Sequence, residues 1–517
     1  MRANPLVLLG LLAGCGWNNL PDQDYVYLDV PLWDPVRAVP TADGLYLQLP
    51  NSGGLTLVRG DGTTEAVDLG DGRVTETSVA PDDATVVAFV LREQCIADDE
   101  DDCADIERTR ELVVLDDGAV TTTLDVEGTF NDVAYSQGGE FGIAYLDLTR
   151  EVELDGVTNL TSVVVLDLQS GDTTPVSVGF AAEQVLFVED ETGASKAVVV
   201  SANAVAVLDL LQPEPIVEVT FPLTLDPDGR VVPVGVDLTP DGRYALISAQ
   251  GSSDLYTLDL QSQSINIVDL SAQPADMAVN VATDRTVLVY NNLPVVEILD
   301  HELFDVDRFE LDEPMDTILQ GEDFAVLFDQ GGGKDVYRLD IATGDLVEYV
   351  LENPPLEVVM APGEDFAVAL TRAEGGSSND AAANLYNKYP GLEIIDLRGK
   401  GTAPYILEGA GLGVAFSRTD TRLDALVLQE GIDYLYQLDL YTGEEAELEL
   451  SAPPSDIGVM PDGTFYITHP SALGLVSFYD AGSGDIVEVA GFAARGLLDA
   501  YEPTPAEDDD ADDKEAK

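Results

Sequence analysis

The sequence feature that most constrains this chain is a short apolar run that ends in Asp and returns along most of its length. Residues 237–270 show its context: four short apolar or alternating segments separated by polar turns, with no room for a helix. Four strands in so short a stretch predict one antiparallel meander. An earlier segment, 45–69, has the same strand pattern with Arg59 in place of the Asp, so the sequence predicts ten units. The recurrent residues are Asp116, Asp167, Asp209, Asp259, Asp300, Asp340, Asp396, Asp439 and Asp480.

The recurrent Asp has a local physical explanation. A short carboxylate accepts hydrogen bonds from the amides of the turn that follows it, which favours a hairpin. Several of these turns carry Gly two or more residues later, as expected for a residue in the left-handed region. We interpret the Asp and Gly residues as structural, because a catalytic residue would not need nine copies. The glycines are Gly171, Gly344, Gly443 and Gly484.

A four-stranded sheet cannot bury both of its faces alone, whereas sheets stacked radially around an axis bury them and protect their edges. The Pro-Asp-Gly turns at 240–242 and 461–463 and the recurrent Leu-Asp resemble the β-propeller superfamily, in particular its YVTN-type repeats. The resemblance covers roughly residues 36–490 and implies an all-β propeller of four-stranded antiparallel blades. The Pro-rich connection 211–233 could divide two smaller propellers, but 216–221 still reads as a fourth strand, so we prefer a single ring of up to ten blades.

The charge of the chain excludes some partners. The 517 residues include 97 Asp and Glu against 24 Lys and Arg, a formal net charge of −73 at pH 7. Such a chain repels phosphates, so we expect no nucleic-acid partner. The acidic surface favours solubility or life in salt, where self-repulsion is screened. The alternative is a surface that collects divalent cations.

The N-terminus resembles the leader of a bacterial lipoprotein. Residues 1–14 hold an apolar run too short to cross a bilayer, and they end in Leu-Ala-Gly before Cys15, in the manner of a lipobox. The resemblance implies cleavage before Cys15 and lipidation of that residue, with the outer membrane preferred because Gly16 follows. We expect residues 15–35 to form a tether whose segment 25–30 could latch the ring, 36–492 to form the propeller, and 493–517 to form a closing segment and an acidic, disordered tail.

Three insertions interrupt the units, at 92–110, 146–160 and 372–390. Cys95 and Cys103 lie in the first and predict one disulfide in an exported protein. The acidic residues 98–102 between them could bind calcium, although the EF-hand spacing is absent. The insertion 372–390, polar and rich in Gly and Ser, is the predicted contact surface, because loops on a rigid scaffold commonly carry binding.

The sequence carries no recognisable catalytic motif: there is no G-x-S-x-G, no P-loop and no zinc-ligand cluster. His301 and His469 lie in different units, and we interpret each as a loop or surface residue rather than a ligand. The function predicted is a non-catalytic, lipid-anchored binding or scaffold protein of the cell envelope, without a cofactor and with an unidentified protein partner. The alternative is a calcium-dependent, lactonase-like propeller hydrolase with carboxylates in the channel.

Overall fold

A computed structural model describes residues 37–493, with gaps at 50–52, 96–105, 127, 149–158, 191–192, 203, 213, 224–230, 376–380, 400, 420 and 472. Within these residues the chain forms ten antiparallel sheets of four strands each. Every sheet consists of four strands consecutive in sequence, and the sheets form the blades of one ring. The predicted all-β architecture, with ten units in a single ring, is therefore confirmed.

The first five blades follow the chain from residue 38 to residue 269. Blade 1 contains β1 Ala38–Thr41, β2 Gly44–Gln48, β3 Leu55–Val58 and β4 Thr64–Ala66; blade 2 contains β5 Arg73–Val79, β6 Val86–Cys95, β7 Ile106–Asp116 and β8 Ala119–Asp125. Blade 3 contains β9 Asp132–Tyr135, β10 Phe141–Tyr145, β11 Ser162–Asp167 and β12 Thr173–Ser177; blade 4 contains β13 Gln184–Asp190, β14 Gly193–Val200, β15 Ala204–Asp209 and β16 Ile216–Pro222. Blade 5 contains β17 Pro233–Leu238, β18 Tyr244–Ala249, β19 Asp254–Asp259 and β20 Ser264–Asp269.

The remaining five blades run from residue 276 to residue 490. Blade 6 contains β21 Asp276–Asn280, β22 Arg285–Val289, β23 Val295–Asp300 and β24 Val306–Glu310; blade 7 contains β25 Thr317–Gln320, β26 Phe324–Phe328, β27 Asp335–Asp340 and β28 Leu346–Val350. Blade 8 contains β29 Pro355–Met360, β30 Phe366–Thr371, β31 Gly391–Asp396 and β32 Thr402–Ile406; blade 9 contains β33 Gly411–Arg418, β34 Leu423–Gln429, β35 Tyr434–Asp439 and β36 Glu445–Glu449. Blade 10 contains β37 Asp456–Val459, β38 Phe465–Thr468, β39 Leu475–Asp480 and β40 Asp485–Ala490. A short helix, α1 Ala381–Tyr386, lies between β30 and β31.

The hydrophobic pattern of the strands explains their radial order. The second and third strands are nearly continuous apolar runs, and β2, β3, β26 and β34 are buried at every residue. A strand sandwiched between two neighbouring blades has both faces in the core, so it has no polar alternation. The fourth strands, such as β20 and β40, are mostly exposed and lie at the outer edge. The first strands of successive blades contact one another and surround the axis.

Packing between blades is apolar around the whole ring. Ten clusters of buried side chains lie between neighbouring blades, one at each interface. The interface between blades 10 and 1 joins Leu47 and Val58 to Tyr466, Phe478 and Phe492. Blade 10 is completed by its own β40 rather than by a strand from another part of the chain. Closure among the described residues is therefore achieved by side-chain packing; the expected latch segment 25–30 and the tail after residue 493 lie outside them.

Candidate functional site

The two faces of the ring are built from different loops. Because the four strands of a blade alternate in direction, the turns between strands 1 and 2 and between strands 3 and 4 lie on one face. We call this the turn face. The loops between strands 2 and 3 and those that lead from strand 4 into the next blade lie on the opposite face, which we call the insertion face.

The turn face repeats one hydrogen-bonding device. The carboxylate of Asp259 accepts the backbone N–H groups of Gln261 at 2.9 Å and Ser262 at 2.8 Å. Equivalent bonds follow Asp167, Asp209, Asp300, Asp340, Asp396, Asp439 and Asp480. Asp116 instead precedes a two-residue turn in which Asp117 and Gly118 both have positive φ, 45° and 79°. The structural interpretation of the recurrent Asp is confirmed.

The glycines predicted in these turns adopt the expected conformation, with φ of 70–78° at Gly171, Gly344, Gly443 and Gly484. The hydrogen bonds from the turn amides also lower the pKa of two of these carboxylates. The N–H of Thr343 holds the pKa of Asp340 below its usual range, and that of Gly482 does the same for Asp480. The charged form of the carboxylate is thus stabilised at these two turns.

The insertion face carries every long connection that the sequence singles out. The segments between β6 and β7, β10 and β11, and β30 and β31 all join second to third strands, and the connection between β16 and β17 leads into a new blade. The first insertion is shorter than expected, because β6 continues to Cys95 and β7 begins at Ile106, which pair directly. Cys103 and the acidic residues 98–102 lie outside the described residues, so the disulfide and the calcium alternative stay predictions.

The insertion 372–390 is tied at its base to blade 7 and to the loop that leads from blade 7 into blade 8. Gly375 donates its N–H to the carbonyl of Asn387 at 2.8 Å, and Lys334 pairs with Glu374 at 2.8 Å. Asn353 donates its side-chain amide to the carbonyl of Tyr386, the last residue of α1, at 2.8 Å. The predicted contact surface therefore stands on a defined base on the insertion face.

Beneath that base lies a buried carboxylate that the sequence reading missed. Glu393, on β31, is 2 % exposed, and its Oε1 accepts the N–H groups of Glu352 at 2.6 Å and Asn353 at 3.3 Å. No described group hydrogen-bonds to its Oε2 or to the Oδ1 of Asn353, both of which are buried. Burial raises the pKa of Glu393 to about 7, helped by the charge of Glu352 and opposed by the two N–H groups and by Lys334. This carboxyl group can therefore hold a proton near neutral pH.

Blade 6 has a buried carboxylate at the equivalent position, Glu297, whose pKa is shifted in the opposite direction to that of Glu393. Glu297 also lies three residues before the recurrent Asp, and it is fully buried. Its carboxylate accepts hydrogen bonds from Ser271, from the hydroxyl of Tyr290 and from Arg308, whose Nη2 lies 2.8 Å away. Burial alone would raise the pKa of Glu297, but these donors outweigh it and lower the pKa.

The register shows which partners blade 8 lacks. Arg308 pairs with Glu297 across β23 and β24, whereas Pro404 pairs with Glu393 across β31 and β32. Thr371 occupies the position of Tyr290, the residue that supplies a hydroxyl in blade 6. The sequence does contain a signal for these two sites: a Glu stands three residues before the recurrent Asp in just two of the nine Asp-bearing units. The neighbouring residues, however, do not show that Glu297 has a full set of hydrogen-bond donors and Glu393 does not.

Both histidines lie in loops, which was one of the two predicted alternatives, but both are buried rather than at the surface. His301 is 5 % exposed, with Nδ1 2.8 Å from Asp284 and Nε2 2.7 Å from the hydroxyl of Thr286. His469 is fully buried, and its Nδ1 donates to the carbonyls of Ala452 and Pro453 while its Nε2 lies 2.8 Å from the hydroxyl of Ser477. Burial lowers the pKa of His469.

His469 is a structural tie rather than a catalytic base. Ser477 is also fully buried, so no substrate reaches the pair. Ser477 stands three residues before Asp480, the position of Glu297 in blade 6, and His469 connects it to the loop before β37. In blades 6, 8 and 10, the loop that precedes the first strand is therefore hydrogen-bonded by three different sets of side chains.

Carboxylates near the axis are used to join blades. Asp237, on β17, accepts the N–H of Val279 on β21 at 3.1 Å, and Asp276 accepts that of Ile318 on β25 at 2.8 Å. Burial raises the pKa of Asp237. Over the part of the chain that the structure describes, no three His, Cys, Asp or Glu side chains lie close enough to hold a metal ion. No helix there is long and apolar enough to cross a bilayer.

The insertion face has a cleft of about 430 Å³ at its inner rim, over blades 5, 6 and 7. Four amide side chains line it together with one carboxylate, that of Asp316, which already accepts the N–H of Gln330 at 3.0 Å. Amides both donate and accept hydrogen bonds, so this cleft suits an uncharged polar group. The lining residues are Val234, Gln273, Pro274, Ala275, Asn291, Asn292, Asp316, Thr317 and Gln330.

The class defined by the fold is the β-propeller, here with ten blades in one ring. No protein-family model and no curated protein matches the sequence. Among solved structures, the chain is similar to the dihydro-heme d1 dehydrogenase NirN, with 13 % identity, a TM-score of 0.39 and coverage of 65 % of this chain and 74 % of that one. It is similar to a streptogramin B lyase, with 13 % identity, a TM-score of 0.31 and coverage of 54 % and 88 %. It is also similar to the extracellular domain of a one-component system from B. thetaiotaomicron, with 10 % identity, a TM-score of 0.29 and coverage of 91 % and 73 %.

Proposed function

We propose that this chain is a lipid-anchored, non-catalytic binding or scaffold protein of the cell envelope that contacts its partner through the insertion face. The observation that carries the proposal is the segregation of the loops. All long connections fall on the insertion face, whereas the turn face repeats short, internally hydrogen-bonded turns. Repeat scaffolds commonly bind through one such loop-built surface.

The direction of the first strands also indicates on which side of the ring that partner would lie. β1 begins at Ala38, and every first strand runs from the insertion face to the turn face, so the described part of the chain begins at the insertion face. A lipid on Cys15 would therefore hold this face toward the membrane. A fully extended tether of some twenty residues reaches at most about 70 Å. A partner embedded in the outer membrane, or lying against it, fits this geometry.

The Pro-Asp-Gly turns support the finer resemblance to YVTN-type propellers. Gly242 and Gly463 have φ of 63° and 87° in equivalent turns between first and second strands. Propellers of this type host many activities, so the resemblance supports a scaffold without specifying a ligand. The calcium-dependent hydrolase, the alternative drawn from the sequence, gains no observation, because Asp237 and Asp276 near the axis are engaged between blades.

Site-specific photo-crosslinking in native membranes tests the proposal. A photoreactive residue replaces exposed Asn292 on the insertion face or, as a matched control, exposed Ser262 on the turn face. We expect a discrete adduct from position 292 and none from position 262. Cys15→Ser should move the protein out of the outer-membrane fraction and abolish the adduct. Equal crosslinking from both faces, or membrane retention of Cys15→Ser, would contradict the proposal.

A further inference from the structure

Arginines without an ion-pair partner are unexpected in a chain with a net charge of −73, and two of them line one cleft. Arg73 and Arg110 form no ion pair with any carboxylate in the described part of the chain, whereas most of the other described arginines do. The cleft has a volume of about 270 Å³ and opens on the insertion face between blades 2 and 3.

The register of blade 2 places the two arginines on either side of the same residue, Leu91. Leu91 on β6 pairs with Arg73 on β5 and with Arg110 on β7. Directly paired residues point to the same face of a sheet, and neighbouring strands lie about 4.8 Å apart, so the two Cα atoms are separated by about 10 Å. Both side chains therefore leave the sheet on the same side as Leu91, and the stem of Arg73 also packs against Gly53 of blade 1.

The floor of the cleft is apolar. Phe89 and Leu112 lie two residues from Leu91 and Arg110 on the same face of the sheet, and they pack with Phe130 from the loop that enters blade 3. All three are at least nine-tenths buried. A positively charged rim above an apolar floor is complementary to a molecule with an anionic head and an apolar body.

The nearby carboxylates do not neutralise this rim. Glu111 pairs in register with Val90, and the side chain of Val90 packs against blade 1. The carboxylate of Glu111 therefore lies on the side of the sheet away from the cleft, where it accepts a hydrogen bond from Nε of Arg92 at 2.9 Å. Glu76 lies on the cleft side but forms an ion pair with Arg37. The excess positive charge of the cleft is therefore that of Arg73 and Arg110.

We propose that this cleft binds a small carboxylate with an apolar body, its carboxylate held between Arg73 and Arg110 and its apolar part against Phe89 and Phe130, the floor residues that keep some exposure. Guanidinium groups recognise carboxylates through paired, charge-assisted hydrogen bonds. The site goes beyond the proposed envelope role and does not depend on the lipid anchor, so each can fail without the other.

The test is binding of 3-phenylpropanoate to the purified full-length protein, measured by ligand-observed NMR, with 3-phenylpropanamide as the neutral isostere. We expect the carboxylate to bind and the amide to bind at least tenfold more weakly. Arg73→Gln and Arg110→Gln should each weaken binding about tenfold, the loss of one charge-assisted hydrogen bond. Arg418→Gln on the turn face, the matched control for net charge, should leave binding within about twofold.

A second measurement uses the unmutated protein, so it does not depend on the folding of any variant. Phenylglyoxal modifies accessible arginines, and the sites are read by mass spectrometry. We expect 3-phenylpropanoate to protect Arg73 and Arg110 but not Arg418. Equal binding of the amide and the carboxylate, or unchanged modification of Arg73 and Arg110 in the presence of ligand, would overturn the proposal.

Discussion

The two faces of this ring are formed by the same forty strands, yet they differ in how far their polar groups are satisfied. On the turn face, eight of the nine recurrent Asp residues hold the amides of their own turns. On the insertion face, the buried carboxylate of Glu297 accepts hydrogen bonds at both oxygens, whereas that of Glu393 accepts them at only one among the described residues. Arg73 and Arg110 line a cleft on the same face without a described carboxylate partner. A local device can be repeated in every unit, whereas groups that depend on the neighbouring blade or loop differ from one unit to the next.

The largest expected effect separates Glu297 from Glu393. Glu297→Gln removes charge-assisted hydrogen bonds to Arg308 and Ser271 and should lower the free energy of unfolding by about 3 kcal/mol. Glu393→Gln should instead raise it, by up to about 3 kcal/mol at pH 7.5, because a neutral amide removes the buried charge that wild type carries at this pH. Urea denaturation of both variants measures the difference. Equal losses would show that the two carboxylates are equivalent.

The second prediction concerns pH. The folded-state pKa of Glu393 is raised to about 7, above its unfolded value, so the folded state binds this proton more tightly. The free energy of unfolding should therefore fall as pH rises from about 4.3 to about 7, by an amount on the order of 3 kcal/mol. Titration of the other carboxylates overlies this change, and Glu393→Gln supplies the control. The stability of wild type minus that of the variant should decline over this window and be flat above about pH 8; a flat difference throughout would contradict it.

The third prediction compares two glycines of the turn face. Both Gly344 and Gly484 have positive φ, but a Cβ at 344 would lie 2.1 Å from the ring of Phe309, whereas at 484 it would meet open space. Gly484→Ala should cost about 1 kcal/mol of stability through backbone strain alone, and Gly344→Ala about 2 kcal/mol. Thermal unfolding of the pair measures both. If Gly484→Ala were the more damaging change, the turn face would not be the uniform surface described here.

The smallest effect tests the repeated Asp itself. Asp340→Ala removes the acceptor of the Thr343 N–H and should cost about 1 kcal/mol of stability at pH 7. Exposed Asp345 in the same turn accepts no hydrogen bond through its side chain from any residue that the structure describes, so Asp345→Ala should be nearly neutral. Because the folded pKa of Asp340 is lowered, its contribution is present above the unfolded value of about 3.9 and is lost as pH falls through the folded pKa. A cost for Asp340→Ala that persists well below that pKa would contradict this assignment.

The sequence by itself determined the blade. The alternation of residues 237–270, the recurrent Asp and the glycines of the turns act within a few residues, so they are readable without a structure, and they predicted both the strand order and the number of units. Insertions were readable too, because they interrupt a period. Topology then requires that they share a face, since every one joins a second strand to a third or one blade to the next.

The tertiary structure alone decided the environments of individual side chains. Nothing near Glu393 in the sequence shows that its second oxygen lacks a donor. The groups that surround this side chain come from β32 and from a loop forty residues earlier, so only the folded chain shows which donors are present. The two arginines of the cleft are separated by 37 positions and meet through Leu91 on the strand between them. The sequence predicted His301 and His469 as loop or surface residues; it could not show that they are buried loop residues, because burial is set by contacts across strands and between loops. Local turns are fixed by short-range hydrogen bonds, whereas burial and charge pairing arise between distant segments, and that is why the first could be predicted from the sequence and the second could not.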